Sequence, residues 1–169
     1  MRHARSPATA PDARRANADN PRHERQLDEA GEASARELGE ALRALNVTIG
    51  PIYSSPTYRA LETVRLAQLG TPRVVEQLAE NARGMSGAAQ RSEIDWLRRA
   101  VTRAPPAGSD ALIVTHTPNI VGAFDDRAAG IEPGEMMVFE PVGSGQTRLL
   151  GRITVEEWRQ LARQAASHR

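Results

Sequence analysis

The sequence contains no cysteine and no lysine. Without thiols, disulfides, thiolate nucleophiles and cysteine-bound zinc are excluded. Without lysine a Walker phosphate loop is excluded, and GSGQT at Gly143 to Thr147 reads as a hairpin turn instead. All 22 basic residues are arginine, set against 21 acidic ones. Neither sign of charge dominates, so nucleic-acid affinity would need a local basic patch, and none stands out. Aromatic residues that could stack on bases make up only 4% of the chain. No apolar run approaches the roughly 20 residues needed to span a bilayer, and the start, MRHARSPATAPDARRA, is polar rather than signal-like. As written, the sequence points to a soluble, cytoplasmic protein with neither nucleic acid nor membrane as partner. The four histidines, His3, His23, His116 and His168, include no pair at i and i+3 or i+4. A metal-free site without a cofactor is therefore favoured.

The 169 residues suit one domain, from residue 1 to 169, with a proper core. Ser6 to Arg25 lacks apolar periodicity and reads as a long surface loop, a common location for function. Asp28 caps a predicted helix reaching about Leu45, whose Leu38, Ala41, Leu42 and Leu45 form a buried stripe. A short strand is expected near Ile52 and Tyr53. Ser55 and Pro56 then read as the N-cap and first residue of a helix with Ala60, Leu61, Val64 and Ala67 inward. A second strand is expected around Val74 and Val75, then a loop with Gly84 and Gly87, and a helix carrying Ile94, Leu97 and Val101, ended by APPAG. Ala111 to Thr115 is almost wholly apolar, as expected of a central strand buried on both faces. Pro118 to Ala128 is expected to be helical. Met136 to Phe139 and Arg148 to Ile153 read as strands, and Thr154 with Glu157 as the capping box of a last helix. The alternation predicts a three-layer α/β/α sandwich with a mostly parallel central sheet, its polar side chains gathered at the carboxyl ends of the strands.

Two Arg-His pairs occur, Arg2-His3 and Arg22-His23, so the dipeptide alone selects neither. His116 is more telling, because it directly follows a buried strand, where open α/β sheets build their sites. Arg59 falls in the first turn of the helix expected to open at Ser55, where free N–H groups and the macrodipole favour an anion. Its planar fork suits phosphate.

Together MRHA at the start, LDEAGEASARELGEAL from Leu27, SSPTYRALET from Ser54 and VTHTPNI from Val114 resemble the signature segments of the histidine phosphatase superfamily, also called phosphoglycerate-mutase-like, in its short single-domain branch. The resemblance implies that His3 is the nucleophile that becomes phosphorylated, that Arg2 and Arg59 bind phosphoryl oxygens, and that His116 completes the pocket. It makes His23 and His168 bystanders. The chemistry is compatible: a neutral imidazole attacks phosphorus, while a charged His116 would help hold phosphate. Guanidiniums and imidazoles supply positioning and charge neutralisation without a metal.

Family members carry an apolar strand before the Arg-His pair, and here Met1 alone precedes it. The N-terminal strand is thus expected to be missing, through loss of the chain start and with it any signal peptide for export to the periplasm; otherwise His3 sits on a frayed end. One branch places Asp after the second histidine, where this chain has Thr117. For the acid that protonates the leaving group, Glu76, Glu80 and Glu135 are the candidates, with Glu135 the first to test. The expected function is a metal-independent phosphohydrolase acting through phosphohistidine on a phosphomonoester, either a phosphorylated small molecule or a phosphoprotein. The alternatives are a non-catalytic phosphate-binding scaffold and, below it, a phosphomutase. Specificity is expected from Ser6 to Arg25 and from Gln77 to Gly87.

Overall fold

Residues 1–80 and 87–167 are described by the computed structural model. Most of the loop expected around Gly84, and with it the middle of the Gln77 to Gly87 region, lies outside the described residues. Helix α1 (Glu29–Ala44) starts where expected, because the Asp28 carboxylate accepts the Gly31 N–H at 2.8 Å. Its Leu38 and Leu42 are each 2% exposed, and truncation of either to alanine should cost about 2–5 kcal/mol. Strand β1 (Ile49–Ser54) leads to α2 (Tyr58–Ala67), β2 (Arg73–Val74) and a 3-10 turn at Glu76–Leu78. Next come α3 (Gly87–Ala100), β3 (Asp110–Val114) and α4 (Thr117–Phe124), with a 3-10 turn at Asp125–Ala128. The chain closes with β4 (Met136–Gly143), β5 (Gln146–Ile153) and α5 (Val155–Ser167).

The strands β2, β1 and β3 lie side by side and parallel, in that order, while β4 and β5 form an antiparallel hairpin. The period-two alternation of strands distributes neighbours to opposite faces. Ile52, Leu112 and Met136 join the Leu38, Leu42, Val64 and Trp158 cluster beneath α1, α2 and α5. Tyr53, Ile113 and Met137 join Leu97, Ile120 and Phe124 beneath α3 and α4. This is the expected α/β/α sandwich.

Three local expectations are corrected. Helix α2 begins at Tyr58 with Thr57 as its N-cap, because Ser55 Oγ accepts the Thr57 N–H at 3.2 Å and holds Ser55 to Thr57 in a turn. Strand β3 is not buried along its whole length, since Asp110 and Ala111 are exposed. The N-terminus is not frayed. Met1 to His3 continue the parallel ladder beyond β3: the Met1 amine donates to Ile113 O at 2.6 Å, Thr115 N to Met1 O at 3.1 Å and His3 N to Thr115 O at 3.0 Å. On the other side Arg2 N donates to Glu135 O at 3.1 Å, next to the start of β4. Met1 to His3 thus form a stub of strand between the end of β3 and the start of β4.

Below this stub, between β3 and β4, lies an apolar cavity of about 430 Å3, lined by Met1, Leu112, Ile113, Met137, Phe139 and Trp158 among others. Both β3 and β4 are edge strands along it. Burial pushes the Met1 amine down to about 5.

Among the described residues no helix is long and apolar enough to cross a membrane. The Gly143 to Thr147 segment makes the expected hairpin turn, with positive φ at Gly143, Ser144 and Gly145. Thr154 and Glu157 exchange capping-box hydrogen bonds at 2.7 and 3.3 Å.

Candidate active site

Three chain segments converge at the carboxyl ends of the parallel strands. The N-terminal stub supplies Arg2 and His3, the turn and helix after β1 supply Ser55, Thr57 and Arg59, and His116 follows β3 by two residues. The imidazoles of His3 and His116 are nearly sealed from solvent, at 4% and 0% exposed. Their centroids are 5.0 Å apart with planes inclined at 61°.

Arg59, itself 4% exposed, lies against both rings. Its Nε donates to His3 Nε2 at 3.2 Å, and one Nη donates to His116 Nδ1 at 3.2 Å. A guanidinium has donors and no acceptor, so His3 Nε2 and His116 Nδ1 must each present a lone pair. The tautomers follow. His3 carries its proton on Nδ1 and donates it to Ala4 O at 2.7 Å. His116 carries its proton on Nε2, which donates to Ser55 Oγ at 2.8 Å, with Thr57 Oγ1 at 3.3 Å. Both imidazoles are therefore neutral, and electrostatics agrees: burial first, then the nearby arginines, push His3 down to about 3 and His116 to about 2. A charged His116, which would help hold phosphate, is not the state of the pocket with Arg59 in this position.

Arg2 donates through Nη1 to Ile131 O at 2.9 Å, while its buried Nε has no partner among the described residues. Thr63 ties the stub to α2: its hydroxyl donates to Arg59 O at 2.8 Å and accepts the Ala4 N–H at 3.1 Å. In the first turn of α2 one N–H is already engaged. Glu24 Oε2 accepts the Tyr58 N–H at 2.9 Å and fills that position.

The structure brings His3, His116 and Arg59 into contact and sets Arg2 beside them in the chain. Glu135 is held elsewhere. Its carboxylate takes a two-point ion pair from Arg152, at 2.5 and 3.0 Å, and accepts the Glu132 N–H at 2.7 Å. These partners outweigh burial and keep its carboxyl below the usual carboxylate range, a poor state for donating a proton. Glu76 lies at the start of the 3-10 turn Glu76–Leu78. Glu80 is the carboxylate that touches the cluster, accepting from an Arg59 Nη at 2.6 Å.

Two residues that sequence reasoning passed over also belong here. Ser55 sets the His116 tautomer, and Arg25 reaches Glu80 at 3.9 Å. The SSP motif pointed toward Ser55, but only as a helix cap. His23 is exposed, and His168 lies outside the described residues. No group of three or more His, Cys, Asp or Glu side chains among the described residues is arranged to hold a metal ion.

The family profile of the histidine phosphatase superfamily (branch 1) matches residues 1–108. No curated protein matches the sequence. Among solved structures, a candidate phosphohistidine phosphatase SixA from Nakamurella multipartitia shares 22% identity at a TM-score of 0.50, over 73% of this chain and 60% of that one. A candidate SixA from Agrobacterium tumefaciens shares 19% identity at 0.60, over 91% and 95% of the two chains. A phosphoserine phosphatase from Entamoeba histolytica, solved as a mutant in complex with phosphoserine, shares 14% identity at 0.64, over 92% and 95%. These likenesses are likenesses of fold.

Proposed function

Since the chain belongs to the histidine phosphatase superfamily, branch 1, we propose that it is a metal-independent phosphohydrolase that works through a phosphohistidine on a phosphomonoester or phosphoprotein. The observation that carries this reading is the His3 lone pair. Hydrogen bonding to Ala4 O fixes the proton on Nδ1 and turns a neutral Nε2 toward Arg59 and His116. An activated nucleophile needs that state, and here burial maintains it at neutral pH.

In the proposed reaction a phosphoryl group enters between the two rings. Arg59 redirects its N–H groups from the imidazoles to phosphoryl oxygens, which frees the Nε2 lone pair. The unpartnered Arg2 Nε takes another oxygen. Nε2 attacks phosphorus as the P–O bond to the leaving group breaks, and the leaving oxygen takes up a proton from solvent water. Water then attacks phosphorus and gives up a proton to solvent, the P–N bond breaks with its electron pair returning to Nε2, and inorganic phosphate departs with neutral His3 restored. A dianion between the rings raises the proton affinity of His116, so its Nδ1 can gain a proton once Arg59 has turned away from it. Phosphoamidates and aryl phosphates, whose leaving groups need little proton assistance, suit a site in which Glu135 is already engaged. The SixA proteins and the phosphoserine phosphatase of the same fold are described as phosphohistidine and phosphoserine phosphatases, and of the two substrate types the phosphoamidate suits this scheme better.

The test is incubation with p-nitrophenyl phosphate followed by an acid quench and an alkaline quench. Phosphate bound to protein in alkali, lost in acid and absent from His3→Ala, is the expected result. Undiminished hydrolysis by His3→Ala overturns the assignment. Phosphate binding by the native protein without turnover favours the scaffold alternative.

A further inference from the structure

Arg59 has a third partner besides the two rings. One of its Nη atoms is bound to Glu80 Oε2 at 2.6 Å, and the same carboxylate oxygen lies 3.9 Å from Arg25 Nη1. Two guanidiniums from distant parts of the chain thus converge on one anionic oxygen. Arg25 is anchored for this role: its Nε donates to Pro7 O at 2.7 Å and its Nη2 to Ser6 Oγ at 3.0 Å. Those bonds use one edge of the fork and leave Nη1 aimed at Glu80. The adjacent Glu24 pins the same loop to the first turn of α2, the turn that carries Arg59. The Arg25 charge also reaches the rest of the site, since it depresses the proton affinity of Arg2, His3, Arg59 and His116 alike.

Glu80 differs from its partners in exposure. Its side chain is 39% exposed, against 5% for Arg59. It can swing into water at little desolvation cost, whereas the buried guanidinium of Arg59 cannot leave. We propose that Arg25 is a third oxyanion-binding residue and that Glu80 is a resident anion occupying the Arg25–Arg59 pair until a phosphoryl oxygen displaces it. The inference rests on the phosphoryl-transfer reading above and deepens it. Phosphate affinity is set by competition with a built-in carboxylate, and the bound group meets three guanidiniums rather than two. A dianionic phosphoryl group outcompetes a carboxylate for such a cluster, while a substrate carboxylate, with the same single charge as Glu80, does not.

The experiment is calorimetric titration of inorganic phosphate at pH 7 into the full chain, as native protein, Glu80→Gln, Arg25→Gln and Arg25→Lys, each checked for native circular dichroism. Glu80→Gln is expected to bind phosphate about 10-fold more tightly, because the competitor is gone, and Arg25→Gln about 10-fold more weakly, with Arg25→Lys between. Glu80 is half exposed to solvent, so its variant reports even if Arg25→Gln misfolds. Phosphate binding that is unchanged or weakened in Glu80→Gln overturns the inference. So does unchanged affinity coupled to loss of turnover on alkyl but not aryl phosphates, which marks Glu80 as a proton donor instead. Those outcomes leave the phosphatase reading standing. Absence of phosphate binding in every form, with no phosphohistidine trapped, overturns both together.

Discussion

His3 and His116 face one another across 5.0 Å, and each accepts a hydrogen bond from the same guanidinium, that of Arg59. One cation that can only donate fixes the protonation of two rings at once. Both rings are thereby held neutral at a pH where a free histidine is partly charged.

The acid limb of kcat/KM should consequently lie well below pH 6.5. Attack needs His3 unprotonated, and its proton affinity is pushed down to about 3 by burial and by Arg59. Activity should hold from pH 7 to about 5 once the protonation of the substrate phosphate, near pH 6, is corrected for. A limb at 6.5 in the free enzyme would contradict the geometry.

The same shifts predict a pH dependence of stability. For both rings the folded-state value lies below the unfolded 6.5, so between these values the unfolded chain binds more protons. Their contribution is complete above pH 6.5 and is lost as the pH falls toward about 3. Urea midpoints should decline from about pH 6.5 to about 4.5 more steeply for the native protein than for a His3→Gln, His116→Gln double variant.

Arg59→Lys should cost about 100-fold or more in kcat/KM, the scale of losing one preorganised donor. A single ammonium cannot reach His3, His116 and Glu80 together in the fixed directions of a fork. Its kinetics on p-nitrophenyl phosphate, beside an unchanged melting profile, provide the check.

Gly31→Ala should impair the site from a distance. A Cβ on Gly31 would stand 2.0 Å from Arg5 O, so the Arg5 backbone has to move away from α1. Arg5 follows Ala4, whose carbonyl fixes the His3 tautomer. We expect destabilisation of about 1–3 kcal/mol, read by urea unfolding, and a fall in kcat exceeding that of Gly122→Ala. There the intruding Cβ meets only the Ile94 side chain.

Acetylation of the Met1 amine should stabilise the chain increasingly as the pH drops. The free amine has a folded value of about 5 against an ordinary 8.0, so its protonation opposes folding below pH 8. An amide still donates to Ile113 O without a charge to desolvate. The Tm difference between acetylated and free chains should be small at about pH 8.5 and grow steadily down to about pH 5.

Local chemistry made much of this fold legible in advance. Asp28 before an apolar stripe, the Thr154 to Glu157 box and the Gly-rich turn after β4 each satisfy their own backbone within a few residues, so short windows suffice. His116 was visible because β3 is apolar up to its last residue. What stayed hidden depends on long-range pairing. Glu80 was one of three candidate acids with nothing local to single it out, Arg25 is an ordinary charge in sequence, and only the folded chain brings them both to Arg59. The engagement of Glu135 was hidden for the complementary reason, since nothing near it in sequence reveals that Arg152 on the neighbouring strand pairs with its carboxylate. The Ser55 hydroxyl looked like a cap and serves a ring.

The apolar cavity below Met1 also bears on handling. Its walls include β3 and β4, each with one edge free of a neighbouring strand, so peptide donors and acceptors border an apolar slot. Unpaired edges of this kind are where sheets can add a strand. Self-association in concentrated preparations, if it occurs, is expected to run through this seam, where light scattering should fall on substitution of Phe139 by a charged residue.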